Sequence, residues 1–267
     1  MSSITTDQGI LHYEVYGRGR PVILLHGWLG SWGLWQDTMA YLGQYYRTYA
    51  LDFWGFGESG TKRSTYAVSD FVSLVDQFMD QLGIETAPLV GHSMGGTVSL
   101  SVAIQYPERV SKVVIIGSPI VGSSLALPLK FAGQRPIAFL LFHMMGAFRF
   151  GMKLASPFIC RDPGFPDMMD RDLSRTTLES FLNSIASLRR TDLRPQLNQL
   201  GIPAMGMFGH RDNIVNPRQW QPMLAGIPQA RIEQFPNAGH FIMLDEPQEF
   251  KTKLKDFLDQ PNTSQNV

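Results

Sequence analysis

Cysteine is almost absent: Cys160 is the only one in 267 residues, so no internal disulfide can form and nothing indicates an oxidising compartment. Charge is sparse and balanced. Charged residues make up 17% of the chain, against roughly 25% in an average soluble domain. The 23 Lys and Arg match 23 Asp and Glu, so no global field steers the molecule toward nucleic acid, and none is expected as a partner. Long apolar runs are missing too. The longest, 136–148, holds His143 and falls short of the roughly 20 residues a membrane-spanning helix needs. The N-terminus has neither a basic start nor an apolar stretch, so no signal peptide is read and a cytoplasmic protein is expected. No cluster of His, Cys and acidic residues has ligand spacing, so neither metal nor cofactor is expected. There is no internal repeat.

What is present is a chain 44% hydrophobic, enough for one sizeable core with an inserted subdomain. Short β-rich runs at 10–16, 22–26, 47–52, 87–91, 112–117, 204–208 and 231–235 alternate with helical patterns at 32–42, 68–82, 94–105, 217–224 and 247–258. That alternation predicts an α/β fold with a mostly parallel central sheet flanked by helices. Near-continuous runs such as Val22-Ile-Leu-Leu and Val113-Val-Ile-Ile fit strands covered on both faces. The rhythm breaks between about 120 and 194, where Pro, Phe, Met and Leu crowd together. This predicts a helical cap at 120–194, inserted into a core of 1–119 and 195–267. The polar tail 260–267 is expected to fray.

The sharpest motif is Leu89-Val-Gly-His-Ser-Met-Gly-Gly96, a Gly-x-Ser-x-Gly sequence between a predicted strand and a predicted helix. A serine on so tight a turn projects its oxygen away from the backbone. The turn also forces strand and helix together, so only small residues fit two positions either side, hence Gly91 and Gly95. The helix that follows aims its N-terminal amides at the place where an oxyanion would form. Ser93 is the candidate nucleophile.

A serine needs a base held by a third group. Of the six histidines, His12 lies in an edge-like strand, His143 in the apolar cap run and His92 beside the nucleophile. His210 precedes a better carboxylate candidate by two residues, which leaves His26 and His240. His240 sits in Pro236-Asn-Ala-Gly-His-Phe, past a strand, where catalytic groups collect in open α/β sheets. Asp212, in Phe208-Gly-His-Arg-Asp-Asn, also follows a strand and supplies the carboxylate; its bland alternative is an Asx-turn or a helix N-cap.

With Ser93, Asp212 and His240 in that order, the chain resembles the α/β-hydrolase superfamily over its whole core. His26-Gly-Trp-Leu-Gly30 looks like the family's oxyanion loop. Carried over, the resemblance implies backbone N–H donors from Trp28 and Met94, with His26 bracing the loop. Asp52-Phe-Trp-Gly-Phe-Gly-Glu-Ser59 is similar to the family's next loop, with Asp52 as a turn-stabilising residue. Serine at the elbow argues against the dehalogenase and epoxide-hydrolase branches, which use aspartate there. The oxyanion loop lacks the Gly-Pro-Gly of many carbon–carbon bond hydrolases, and Phe241 stands where those tend to have tryptophan.

The resemblance implies a serine hydrolase cleaving an ester or thioester through an acyl-enzyme. Carbon–carbon hydrolase, lyase and cofactor-free perhydrolase chemistry on the same residues stays open, as does a small-molecule receptor with a vestigial site. The partner is expected to be a hydrophobic small molecule, with Trp28, Phe139, Phe142 and Met145 around it in a wide pocket. From 120 to 161 there are five basic residues and no acidic one, which leaves open peripheral contact between the cap and an anionic lipid surface. The oligomeric state is unknown.

Overall fold

The computed structural model describes residues 2–60, 65–132 and 134–261; most of the polar tail lies outside them. The strands are β1 (Ser2–Thr5), β2 (Ile10–Gly17), β3 (Pro21–Leu25), β4 (Arg47–Leu51), β5 (Ala87–His92), β6 (Val110–Ile116), β7 (Ala204–Gly209) and β8 (Arg231–Phe235). They form one sheet in the order β1-β2-β4-β3-β5-β6-β7-β8. β2 pairs antiparallel with β1 and β4; every later pairing is parallel. Seven strands match the expected runs to within two residues. β1 was not expected. None of its four residues is buried, so it carries no apolar signal and is held by its ladder to β2 from Ser2↔Tyr13 to Thr5↔Ile10.

The helices are α1 (Gln36–Leu42), α2 (Val68–Gln81), α3 (Met94–Gln105), α4 (Leu127–Ala132), α5 (Arg135–His143), α6 (Met145–Ala155), α7 (Phe165–Ser174), α8 (Leu178–Arg190), α9 (Trp220–Gly226), α10 (Ile242–Asp245) and α11 (Pro247–Asp259). Alternation along the strands divides the core into two layers. Ile23, Leu25 and Leu89 pack with Phe71 of α2 and Val98 of α3. Val22, Leu24 and Val90 pack with Met39 of α1 and Leu254 of α11. This is why β3 and β5 read as unbroken apolar runs.

α3 is buried along ten of its twelve residues, so its polar side chains must be satisfied locally. Ser99 Oγ donates to the Gly95 carbonyl and Ser101 Oγ to the Thr97 carbonyl, both at 2.8 Å. The other end of the core is fixed by Lys112, 2% exposed. Its ammonium donates to the Phe257 and Leu258 carbonyls at 2.8 Å and to Gln260. A cation there satisfies the orphan carbonyls that end α11.

Helices α4 to α8 are all inserted between β6 and β7. Isolated bridges Val121↔Asp192 and Leu125↔Val215 tie the insertion to the core. Phe181, Ile185 and Leu188 of α8 are fully buried, whereas α6 has no buried residue. The insertion is therefore anchored through α8 and exposed through α5 and α6.

Candidate active site

Ser93 joins β5 to α3 with φ 52° and ψ −118°. A non-glycine residue at positive φ stores strain of order 1–3 kcal/mol, retained only where the surroundings over-determine it. Here they do. The Ser93 N–H donates to the Ile116 carbonyl at 2.8 Å. A Cβ added to Gly91 would collide with the Gly95 carbonyl, and one on Gly95 with the Leu25 carbonyl. Both motif glycines are thus required by the close packing of strand and helix. The Ser93 hydroxyl has no hydrogen-bond partner among the described residues, and the residue borders the cavity described below.

Two loops bring the imidazole and the carboxylate together. The Arg211 N–H donates to the Ala238 carbonyl and the His210 N–H to that of Phe235, both at 3.0 Å. The Gly239 N–H donates to Asp245 Oδ2 at 2.7 Å. So held, His240 Nδ1 lies 2.8 Å from Asp212 Oδ2, with both side chains nearly inaccessible. The other Asp212 oxygen accepts from the Ile214 N–H at 2.8 Å and the Val215 N–H at 2.9 Å. Asp212 therefore makes the Asx-turn and also holds the imidazole, one oxygen for each.

Two further residues shape this pair. Gly117 follows β6 with φ +55°, and a Cβ there would lie 3.2 Å from His240 Nδ1 and 3.3 Å from Asp212 Oδ2. His92 Nε2–H donates to the His240 carbonyl at 3.0 Å, and its ring lies 4.7 Å from that of His240. Burial, and then the neighbouring His240, hold the His92 imidazole well below its ordinary value. Neither role was anticipated. The only signals in the sequence were a glycine closing a strand and a second histidine beside the serine.

The loop after β3 is braced as the resemblance implied. His26 Nδ1–H donates to the Gly27 carbonyl at 2.7 Å, and Nε2 accepts from the Phe53 N–H at 2.9 Å. Burial lowers the His26 pKa, so the ring is a neutral strut between two loops. Asp52, fully buried, accepts from the Trp32 N–H at 2.6 Å, the Glu58 N–H at 2.9 Å and His12 Nδ1 at 2.8 Å. It organises the turn, and it draws His12 from its expected edge position into a buried pair. A Cβ on Gly27 would lie 2.9 Å from His92 Nδ1 and 3.0 Å from Ser93 Cβ, so the loop backbone approaches the nucleophile closely. Neither the Trp28 nor the Met94 backbone N–H has an acceptor among the described residues.

Ser93 and His240 border one cavity of about 120 Å³. Its walls are apolar: Trp28, Leu129, Met152, Phe165, Met168 and Ile185. Of the four side chains expected around a substrate, only Trp28 lies there. Phe139 is 55% exposed and packs on the His143 ring at 3.9 Å. Phe142 stands one layer back, edge-on to Phe181 at 5.4 Å, and Phe181 in turn backs Trp28 at 4.7 Å. Met145 is half-buried outside the wall. The reason is which helices face inward: α4, α6, α7 and α8 supply the insertion's wall through Leu129, Met152, Phe165, Met168 and Ile185, and α5 supplies none of it. The cavity is also smaller than a wide pocket; one of about 150 Å³ takes benzene.

Asp172 is the one carboxylate lining the cavity besides its histidine and serine groups. It is 2% exposed, accepts from Ser31 Oγ at 2.8 Å, and is pushed by burial up to about 6. Nothing in the pattern around it distinguished it from the other acids of α7. His143 and His210 are exposed, the latter bonded to Gln234 at 2.6 Å. Cys160 is buried, and burial pushes its thiol up to about 12, which leaves it inert as a nucleophile. Among the described residues no group of three or more His, Cys, Asp and Glu is placed to hold a metal.

Residues 20–247 match the model of the α/β hydrolase fold family, and the chain belongs to that family. It is 28% identical to the 2-hydroxy-6-oxononadienedioate/2-hydroxy-6-oxononatrienedioate hydrolase of Paraburkholderia phymatum, over 94% of this chain and 91% of that one. It is 25% identical to a pimeloyl-[acyl-carrier protein] methyl ester esterase of Vibrio campbellii, over 92% and 98%. Among solved structures, the enol-lactonase of Burkholderia xenovorans LB400 superposes with a TM-score of 0.83 at 20% identity, covering 97% of this chain and all of that one. The three are named as a dioate hydrolase, a methyl ester esterase and an enol-lactonase.

Proposed function

We propose that the chain hydrolyses carboxylic esters of small, uncharged, apolar compounds through an acyl-enzyme on Ser93. The observation that carries this reading is the imidazole–carboxylate pair of His240 and Asp212 beside a strained, unpartnered serine, all bordering one apolar cavity.

In this mechanism His240 Nε2 takes the proton of the Ser93 hydroxyl as its oxygen attacks the acyl carbon. Asp212 holds the proton on Nδ1 and stabilises the imidazolium. The free N–H groups of Trp28 and Met94 receive the oxyanion, each such donor being worth on the order of 10²–10³ in rate. The imidazolium then protonates the leaving alcohol. Water, deprotonated by the same ring, attacks the acyl carbon and releases the acid and the serine. No hydrogen bond joins the Ser93 hydroxyl to His240 among the described residues, although both border the cavity; in this mechanism that bond forms once substrate is bound, as catalytic hydrogen bonds commonly do.

The choice between an ester and the keto acids of the carbon–carbon hydrolases turns on charge. A substrate named as a dioate brings carboxylates. This cavity is lined by no lysine or arginine, and it presents Asp172. An anion there would be both unpaired and repelled. The test is a paired assay with p-nitrophenyl butyrate and a 2-hydroxy-6-oxo dienoate. Turnover of the ester with little cleavage of the acid is expected. Faster cleavage of the carbon–carbon bond, or turnover of neither, overturns the reading.

A further inference from the structure

Among the described residues, eight of the eleven large apolar side chains that are at least half exposed fall between 127 and 158, on α4, α5 and α6, at Met144 between the last two, and on the turn after α6. They repeat at helical spacing: Phe139 and Leu140 on α5, then Phe150 and Leu154 on α6, with Phe158, 81% exposed, beyond it. A large aromatic side chain carries roughly 150–250 Å². Four phenylalanines, three leucines and Met144, each more than half exposed, therefore leave several hundred Å² of apolar surface, within or above the ~300–600 Å² of the largest patch on an ordinary monomer. The core has no use for this face. Leu129 and Met152 of the same helices wall the cavity from within, while Leu127, Phe150 and Leu154 look out to solvent.

We propose that this face docks on a lipid bilayer carrying anionic headgroups, with α5 and α6 lying in the interface. The charge on the segment points to that occupant. Residues 120–161 hold five basic residues and no acidic one. Arg149 and Lys153 are matched by Asp170 and Asp167 of α7. Lys130, Arg135 and Arg161 have no carboxylate partner among the described residues. A second copy of the chain is a poor occupant, because a two-fold contact sets the same patch against itself and these cations would face their own counterparts. An anionic bilayer meets both the apolar face and its basic rim. Insertion is shallow. Among the described residues no single helix is long and apolar enough to cross a membrane, and α5 is bent by 94° from the 145–158 segment. The inference stands apart from the hydrolase reading, and its test needs no turnover.

The test is co-sedimentation of the full chain with vesicles of phosphatidylcholine alone, and of phosphatidylcholine mixed with phosphatidylglycerol. The chain should pellet with the anionic vesicles, less with the neutral ones, and less in high salt. The triple variant Phe150→Ser, Leu154→Ser, Phe158→Ser should lose the binding, and Arg135→Glu should weaken it several-fold. All four residues are exposed, so thermal unfolding and hydrolysis of a water-soluble ester should be unchanged. Absence of binding to anionic vesicles overturns the proposal, as does equal binding by the triple variant. A dimer in solution that the triple variant dissociates assigns the face to a second copy and overturns it as well.

Discussion

His92 Nε2–H donates to the His240 carbonyl at 3.0 Å, so the residue beside the proposed nucleophile holds the backbone of the proposed base. The link runs directly from the elbow to the histidine loop. A neutral hydrogen bond of this kind is worth about 0.5–1.5 kcal/mol. His92→Phe keeps a ring against His240 and Phe241 but removes the donor. It is expected to lower kcat by roughly tenfold with KM little changed, measured by steady-state ester hydrolysis. Unaltered kcat would mean that the contact is packing alone.

Gly117 makes a sharper prediction. A methyl group there sits 3.2 Å from His240 Nδ1 and 3.3 Å from Asp212 Oδ2, on backbone at φ +55°. Gly117→Ala should push the pair apart and add about 1 kcal/mol of backbone strain. The chain should still fold, but the low-field proton resonance of the Nδ1–H···Oδ2 bond should weaken or vanish, and kcat should fall with it. A variant that retains both contradicts the geometry.

Asp172 should leave its mark on stability. Its carboxyl titrates near 3.8 when unfolded and is pushed by burial up to about 6 in the fold. Between those values the folded state holds a proton that the unfolded state has released, so stability falls as pH rises through this window and the full cost is felt above it. Two units at roughly 1.4 kcal/mol each put that cost on the order of 2–3 kcal/mol. Asp172→Asn keeps an acceptor for Ser31 Oγ. By denaturant unfolding it should be more stable than wild type at about pH 8 and should match it below about pH 4. Equal stability at both ends would show that the buried carboxylate is compensated elsewhere.

His12 works in the opposite sense. Burial alone would lower its pKa, but the hydrogen bond and charge of Asp52, with Glu58 and Glu14 nearby, raise it above 6.5. The protonated ring therefore adds stability that is complete below the unfolded value of 6.5 and is lost as pH rises through the higher folded value. The drop in unfolding midpoint from about pH 6 to about pH 9 should shrink in His12→Gln. A drop of the same size in the variant would exclude His12 as its source.

The sheet and the elbow were legible because they rest on local chemistry. Val22 to Leu25 and Val113 to Ile116 had to be covered on both faces, and Gly91 and Gly95 had to be small. Asp212 and His240 were legible from their places just past strands. The substrate wall was not. Phe139 and Met145 look in sequence like Met152 and Phe165, and only the packing of the insertion on α8 decides which of them face Ser93. Gly117, His92 and Asp172 were missed for a related reason. Each acts through a partner distant in sequence, at β6 against the His240 loop, at β5 against the same loop, and at α7 against Ser31.

The central claim is that one hydroxyl in this chain is activated by His240. Reaction with a fluorophosphonate probe, followed by mass spectrometry of the labelled peptide, tests it most directly. One adduct on Ser93 is predicted in the wild type, none in Ser93→Ala, and much slower formation in His240→Ala. An unlabelled wild type, or an adduct on any other residue, would contradict it.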